Sequence, residues 1–162
     1  MMSAIVVNSL GIKGEIEMIN VEVSLVINRP VADVFAFVAN LENLPRWDTD
    51  FQEAKRLTST PGGAGTTYQC LLKYPGGKTA TQKVETTEYA VNKKITYESE
   101  PTKIAKAKVS IQFESVADGT KITSLLQPEF YGLFRFFETM MAGLIRKSHV
   151  AHLSNLKPLL EV

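Results

Sequence analysis

The sequence has one cysteine and one tryptophan among its 162 residues, and it lacks any long apolar run. The single thiol, Cys70, excludes a disulfide within the chain and is typical of a reducing compartment. The clearest apolar run near the N-terminus, residues 4–7, is far shorter than the roughly 20 residues that cross a membrane. We therefore expect a cytoplasmic protein without integral membrane association.

An excess of charge of one sign is also missing. Lysine and arginine number 18 and aspartate and glutamate 17, which leaves a net charge of +1. Nucleic-acid binding depends on clustered basic residues, so no nucleic-acid partner is expected.

The sequence offers few groups for chemistry. His149 and His152 are the only histidines, and with the distant Cys70 they form no recognisable zinc pattern, so neither a metal nor a cofactor is expected. No Gly-x-Ser-x-Gly nucleophile motif occurs. No residue is therefore assigned a catalytic role from the sequence.

Hydrophobic patterning begins after the first 17 residues. Residues 1–17 are interpreted as a leader, disordered or forming an extra strand, and residues 19–162 as one domain. Alternation of Val21, Val23, Leu25 and Ile27 with polar residues predicts a half-buried strand. Pro30 then opens an amphipathic helix over residues 31–38, and residues 40–47 predict a second short helix.

The middle of the chain predicts six further strands, over residues 51–58, 66–74, 79–89, 94–99, 104–114 and 120–127. Short Gly, Pro and Asn turns separate them, among them residues 61–65 and 75–77, and such short connections favour antiparallel neighbours. Residues 132–160 predict one continuous apolar helix of about 43 Å at 1.5 Å per residue. The fold class predicted is α+β: a seven-stranded antiparallel sheet wrapped around a long C-terminal helix, with two short helices after the first strand.

This order of elements resembles the helix-grip fold of the START-like or SRPBCC superfamily. The superfamily includes polyketide cyclases/dehydrases, lipid-transfer START domains and relatives of the birch-pollen allergen. The matching residues are 27–38, the run Asn43-Leu44-Pro45-Arg46-Trp47, the turn at residues 118–123 and the ending at residues 153–161. The resemblance implies a cavity between sheet and helix, and it leaves the function open because one scaffold hosts many activities.

The preferred hypothesis is binding of a small hydrophobic or aromatic molecule by a carrier or sensor, either a monomer or a homodimer. The alternatives are a polyketide cyclase, aromatase or dehydratase, and a protein-interaction domain resembling chaperone activators. An interaction domain would display an exposed apolar patch. Catalysis would require at least two of five groups to converge: Tyr68, Tyr97, Arg135, Glu138 and His149.

The cavity lining is predicted from the strand faces and from the helix. Small and polar inward positions leave space or orient a guest, and flexible methionines repack around it. The predicted ligand-binding residues are Tyr68, Cys70, Gln82, Tyr97, Ala105, Ala107, Ser124, Phe137, Met140, Met141 and Leu144.

Overall fold

The computed structural model describes residues 19–59 and 62–162. The predicted leader, residues 1–17, and Pro61 of the first Gly-rich turn lie outside the described residues. Within them no helix is long and apolar enough to cross a membrane.

The elements follow the predicted order. The strands are β1 (Val21–Ile27), β2 (Phe51–Arg56), β3 (Thr67–Lys73), β4 (Thr79–Ala90), β5 (Lys94–Ser99), β6 (Ala105–Val116) and β7 (Gly119–Phe130). The α-helices are α1 (Val31–Ala39), α2 (Leu44–Trp47), α3 (Glu138–Ser154) and α4 (Leu156–Leu160), and 3-10 turns cover Leu41–Asn43 and Gly132–Phe137. All seven strands of the described chain form one antiparallel sheet in the order β1-β7-β6-β5-β4-β3-β2.

The inner face of the sheet carries the core. Alternate residues of β1 are buried, beginning with Val21, and in β6 Val109, Ile111 and Phe113 are buried in the same way. Because strand side chains alternate between faces, the intervening polar residues face solvent. The helix-grip α+β fold is confirmed.

Two boundaries differ from the prediction. Strand β7 continues past Pro128 to Phe130, although the sequence suggested an end at residue 127. Pairing of β1 with β7 ends at the Val21–Leu126 pair, so among the described residues no strand lies beside Pro128 on the β1 side. Because proline has no N–H to donate, it is tolerated at such an unpaired strand position.

The C-terminal helix is also shorter than predicted. The expected continuous helix over residues 132–160 is instead a 3-10 turn followed by α3 and α4. The break between α3 and α4 lies at Asn155, whose side-chain Nδ2 donates to the carbonyl of Trp47 at 3.0 Å. Apolar periodicity marks such a segment as helical, but it does not reveal changes of helix type inside it.

Candidate functional site

The inner face of β3 to β6 is buried at one end of the sheet and accessible at the other. Toward the β4–β5 turn its side chains are buried: Tyr68, Cys70, Val84, Thr86, Ile95, Tyr97, Val109, Ile111 and Phe113. Toward the β3–β4 turn they are half-buried or exposed: Leu72, Tyr74, Ala80, Gln82, Ser99, Ala105 and Ala107. We call the first the closed end and the second the open end, which also carries the β5–β6 loop and the 3-10 turn at Gly132–Phe137.

The helix α3 covers the β1 and β7 side of this face. His149 fixes its position, because its Nε2 lies 3.0 Å from Oγ of Ser124 on β7. Further along, Lys157 Nζ of α4 donates to the carbonyl of Val26 at 2.8 Å, and Asn28 N–H donates to Glu161 Oε1 at 2.8 Å. These bonds hold the C-terminus over the closed end and leave β3 to β6 less covered at the open end.

The predicted orientation of the helix is wrong for three residues. Phe137, Met140 and Leu144 were expected to face the sheet, but all three are exposed. At about 100° per residue, Met140 lies opposite the inward-facing His149. The sequence predicts an inner stripe centred on aromatic and methionine side chains, whereas the hydrogen bond of His149 and the burial of Leu153 and Leu156 show that the stripe is centred elsewhere.

The other predicted lining residues lie on the inner face of the sheet, except Met141, which lies on α3. Tyr68, Cys70, Tyr97 and Ser124 are buried, and Gln82, Ala105, Ala107 and Met141 are half-buried. The open end contains Gln82, whose Nε2 donates to the carbonyl of Glu100 at 2.8 Å. Binding of a ligand by these residues stays a prediction.

A polar cluster around the buried His152 joins the end of α2 to α3; Asp48 in it is half-buried, and Thr49 and Asp50 are exposed. His152 Nδ1 lies 3.1 Å from Asp48 Oδ1, and its Nε2 lies 2.9 Å from Thr49 Oγ1. Ser148 Oγ lies 3.4 Å from the same Nε2, and the N–H of Asp50 donates to Asp48 Oδ1 at 3.1 Å. The cluster uses both ring nitrogens of His152 and thereby orients its imidazole.

Burial shifts the pKa values of Asp48 and His149 in opposite directions. Burial raises the pKa of Asp48 to about 6, against the opposing effect of His152. Burial, with a smaller contribution from His152, lowers the pKa of His149 to about 4. His149 is therefore neutral at pH 7, so one of its ring nitrogens carries a proton and the other can accept a hydrogen bond.

Two tyrosines and the cysteine are less reactive than usual. Burial raises the pKa of Tyr68, and burial, with a smaller contribution from the charge of Asp48, raises the pKa of Tyr97 well above its usual value. Burial also raises the pKa of the Cys70 thiol to about 11, so it stays protonated and is a poor nucleophile.

Asp48, Asp50 and His152 are also close enough to be considered as metal ligands, since their donor atoms lie within 4.8 Å of one another. Both ring nitrogens of His152 are already in contact with Asp48 and Thr49, so an ion would have to displace one of these contacts. Sequence reasoning missed the cluster because the two carboxylates lie about a hundred positions from the histidine, with no local motif joining them.

The five groups considered for catalysis divide into two sets. Tyr68, Tyr97 and His149 are buried in the interior. Arg135 is exposed and Glu138 half-buried, and these two form no ion pair with each other in the part of the chain that the structure describes. The interior set, with Asp48 and His152, is the part of the protein that could support acid–base chemistry.

Solved structures share this fold at low sequence identity. The Zhui aromatase/cyclase of a Streptomyces species superposes with a TM-score of 0.74 at 12% identity, over 89% of this chain and 94% of that one. The di-domain aromatase/cyclase StfQ of the steffimycin pathway gives 0.71 at 12% identity, over 89% of this chain, which spans about half (51%) of StfQ. The protein TTHA0849 of Thermus thermophilus gives 0.68 at 17% identity, over 86% and 94%.

No curated protein sequence matches the chain. The sequence profile of the family described as "Polyketide cyclase / dehydrase and lipid transport" matches residues 18–161, nearly the whole chain. The resemblance to the START-like superfamily is thus confirmed, and the protein belongs to the polyketide cyclase/dehydrase and lipid transport family.

Proposed function

We propose that this protein is a carrier or sensor that binds a small hydrophobic or aromatic molecule between the sheet and α3, at the open end. The observation that carries the proposal is the loss of burial along the inner faces of β3 to β6 toward one end. Inner sheet positions in a solid core are buried throughout, because native interiors are close-packed. Accessible inner positions at one end instead support a cleft.

The chemistry of the open end fits an apolar guest with a few polar groups. Leu72, Ala105, Ala107 and Met141 supply apolar surface, and Gln82 supplies an amide group at the edge. Ligand sites combine mostly apolar walls with a small number of placed polar groups. An aromatic or lipid-like molecule with one or two oxygen atoms matches this composition.

Filling the cleft tests the proposal. In Ala107→Phe, a large side chain on the inner face should occupy the ligand volume and weaken binding about tenfold or more, as expected for lost apolar burial. The measurement is quenching of Trp47 fluorescence, or displacement of an environment-sensitive apolar dye, in titrations with aromatic polyketide mimics and fatty acids. Gln112→Phe, which adds the same ring to the outer face of the same strand, is the matched control.

Equal affinities of Ala107→Phe, Gln112→Phe and the unchanged chain would contradict the proposal, as would the absence of any saturable binding. Native mass spectrometry of freshly purified protein gives an independent readout, because a retained small molecule appears as added mass.

A cyclase or dehydratase is the second candidate. The specific observation in its favour is the two buried histidines, His149 and His152, the second in contact with the half-buried Asp48, in the same fold as two aromatase/cyclases. Such groups can supply proton transfer to a positioned substrate. Mass and chromatographic retention of the ligand recovered after incubation separate the candidates: a carrier returns the ligand unchanged, a dehydratase returns it without one water, and a cyclase that does not dehydrate returns an isomer of the same mass with a different retention.

A further inference from the structure

The described chain concentrates its exposed apolar side chains in one short segment. Of eleven exposed large hydrophobic residues, six lie between positions 133 and 144: Leu133, Phe134, Phe136, Phe137, Met140 and Leu144. Leu133 and Met140 are both 76% exposed and Phe136 is 82% exposed. Single exposed apolar residues are ordinary, but a contiguous group of this kind marks an interaction surface.

A neighbouring loop extends this surface. The N–H of Tyr131 donates to the carbonyl of Ile104 at 2.7 Å, and Ile104 is itself exposed. The β5–β6 loop therefore lies beside the start of the 3-10 turn at the open end. We call Ile104 together with the six residues above the apolar rim.

The charges around the apolar rim are mainly positive. From Tyr131 to Ser154 the chain has three cationic residues, Arg135, Arg146 and Lys147, and one acidic residue, Glu138. Lys103 precedes Ile104 in the loop. None of these four cations belongs to an ion pair between described residues.

The outer face of the sheet is different. There Lys83, Lys94, Lys106 and Lys108 each lie within 4.0 Å of a glutamate, so their charges are matched inside the protein. Near the rim, the exposed cations Lys103, Arg135 and Lys147 are available to an external anion. Exposed aromatic and aliphatic side chains flanked by unmatched basic residues are the combination that binds at the surface of an anionic bilayer.

We propose that the apolar rim docks the protein onto a membrane containing anionic lipids, with the 3-10 turn and the first turns of α3 lying in the headgroup region. The aromatic side chains enter the boundary between headgroups and acyl chains, and Arg135, Lys147 and Lys103 contact lipid phosphates. A two-fold contact with a second copy fits less well, because it would bring the same unmatched cations together. Docking in this way turns the open end toward the bilayer.

Vesicle flotation with the full chain tests the docking. Vesicles of phosphatidylcholine alone are compared with vesicles that also contain phosphatidylglycerol, and the protein should float with the anionic vesicles. The double variant Phe136→Ser with Met140→Ser should bind these vesicles at least about tenfold more weakly, because it removes two inserted apolar side chains. Its control is Leu57→Ser with Val91→Ser, which removes two exposed apolar residues at the closed end.

The charge contribution is tested separately. Arg135→Gln with Lys147→Gln should remove most of the preference for anionic vesicles, whereas Lys93→Gln with Lys121→Gln, at the closed end, should leave it unchanged. Equal binding of the unchanged protein to neutral and anionic vesicles, or no binding to either, would overturn the proposal.

Photocrosslinking identifies the occupant of the rim directly. A benzophenone side chain in place of Phe136 should crosslink to lipid when anionic vesicles are present. Crosslinks to a second copy or to another part of the same chain would overturn the proposal. Because the Ser variants leave the inner face unchanged, their affinity for a soluble ligand reports on the cleft independently of docking.

Discussion

Gly119 shows how one residue can be required by the fold. It follows the β6–β7 turn with φ at 131°, a conformation that side chains rarely adopt. A Cβ built there would lie 2.2 Å from the carbonyl oxygen of Ile27 and 2.9 Å from the backbone nitrogen of Arg29. The start of β7 therefore packs backbone to backbone against the end of β1, and Thr120 Oγ1 reinforces the contact by donating to the Arg29 carbonyl at 2.8 Å.

Two glycine substitutions should consequently act in opposite directions. Gly119→Ala should lower the free energy of unfolding by about 2–4 kcal/mol, through backbone strain and overlap with fixed backbone atoms. Gly143→Ala should raise it by about 0.5–1 kcal/mol, since glycine is a poor helix former. Gly143 lies within α3, and among the described residues no atom outside its own helical turns lies within 4 Å of a Cβ added there. Urea unfolding at equilibrium measures both, and changes of the same sign would contradict the argument.

Asp48 and His149 should each make the stability of the folded protein depend on pH, in opposite directions. The raised pKa of Asp48 means that the folded state binds more protons than the unfolded state between about pH 4 and 6, so this group makes stability fall as pH rises. The lowered pKa of His149 means the reverse, so this group makes stability rise with pH over a similar range. In the unchanged protein the two effects oppose each other.

Removing either group should leave the pH dependence of the unfolding free energy that the other group causes. In Asp48→Asn, stability should increase by about 1–3 kcal/mol from pH 4 to 6.5, because His149 remains. In His149→Gln, stability should decrease by a similar amount, about 1–3 kcal/mol, from pH 4 to 6, because Asp48 remains. Unfolding free energies measured at several pH values give the slopes, and slopes that are equal in the two variants would show that these residues do not titrate as described.

Some properties of individual residues could be predicted from the sequence, and others could not. The burial of Tyr68, Cys70 and Tyr97 follows from strand alternation, which assigns each side chain to a face. The contacts of His149 with Ser124 and of His152 with Asp48 do not follow from any local pattern. They depend on where α3 crosses the sheet, which packing of the whole domain decides.

At the scale of elements, the strands were easier to predict than the helix. In β6 the alternation from Ala105 to Phe113 gave both the element and its inner face correctly, since one face meets the core and the other meets solvent. In the C-terminal segment, apolar residues occur on both faces. The outward apolar residues belong to the apolar rim, so apolar periodicity alone pointed the helix in the wrong direction.

The docking proposed for the apolar rim would account for this error. A helix whose outer face has to remain soluble is polar there, and its inner stripe can then be found from the sequence. Phe137, Met140 and Leu144 depart from that pattern because they are exposed, and patterning rules commonly fail at sites of interaction. The mismatch between the predicted and observed orientation of α3 is therefore itself an argument that its first turns contact a partner.

At the scale of the whole molecule, the best-packed region and the proposed binding cleft lie at opposite ends of the sheet. At the closed end Leu153 and Leu156 are fully buried, and α4 is bonded to β1 through Lys157. At the open end the inner residues Gln82 and Ala107 are only half-buried. A molecule anchored at one end can leave space at the other, because a single well-packed region suffices for cooperative folding of a small domain.

Shortening one side chain at each end of the sheet should separate the effect on stability from the effect on ligand affinity. Leu156→Ala should lower the free energy of unfolding by about 3 kcal/mol through loss of buried volume, and at temperatures where the variant stays folded its ligand affinity should be unchanged. Met141→Ala should lower stability by about 1 kcal/mol or less, because its side chain is only half-buried, yet weaken ligand binding. Paired measurements of urea unfolding and ligand titration check both variants. If Leu156→Ala weakened binding as much as Met141→Ala, the two ends would be coupled, and the ligand would have to lie deeper against the closed end than the exposure of the inner face indicates.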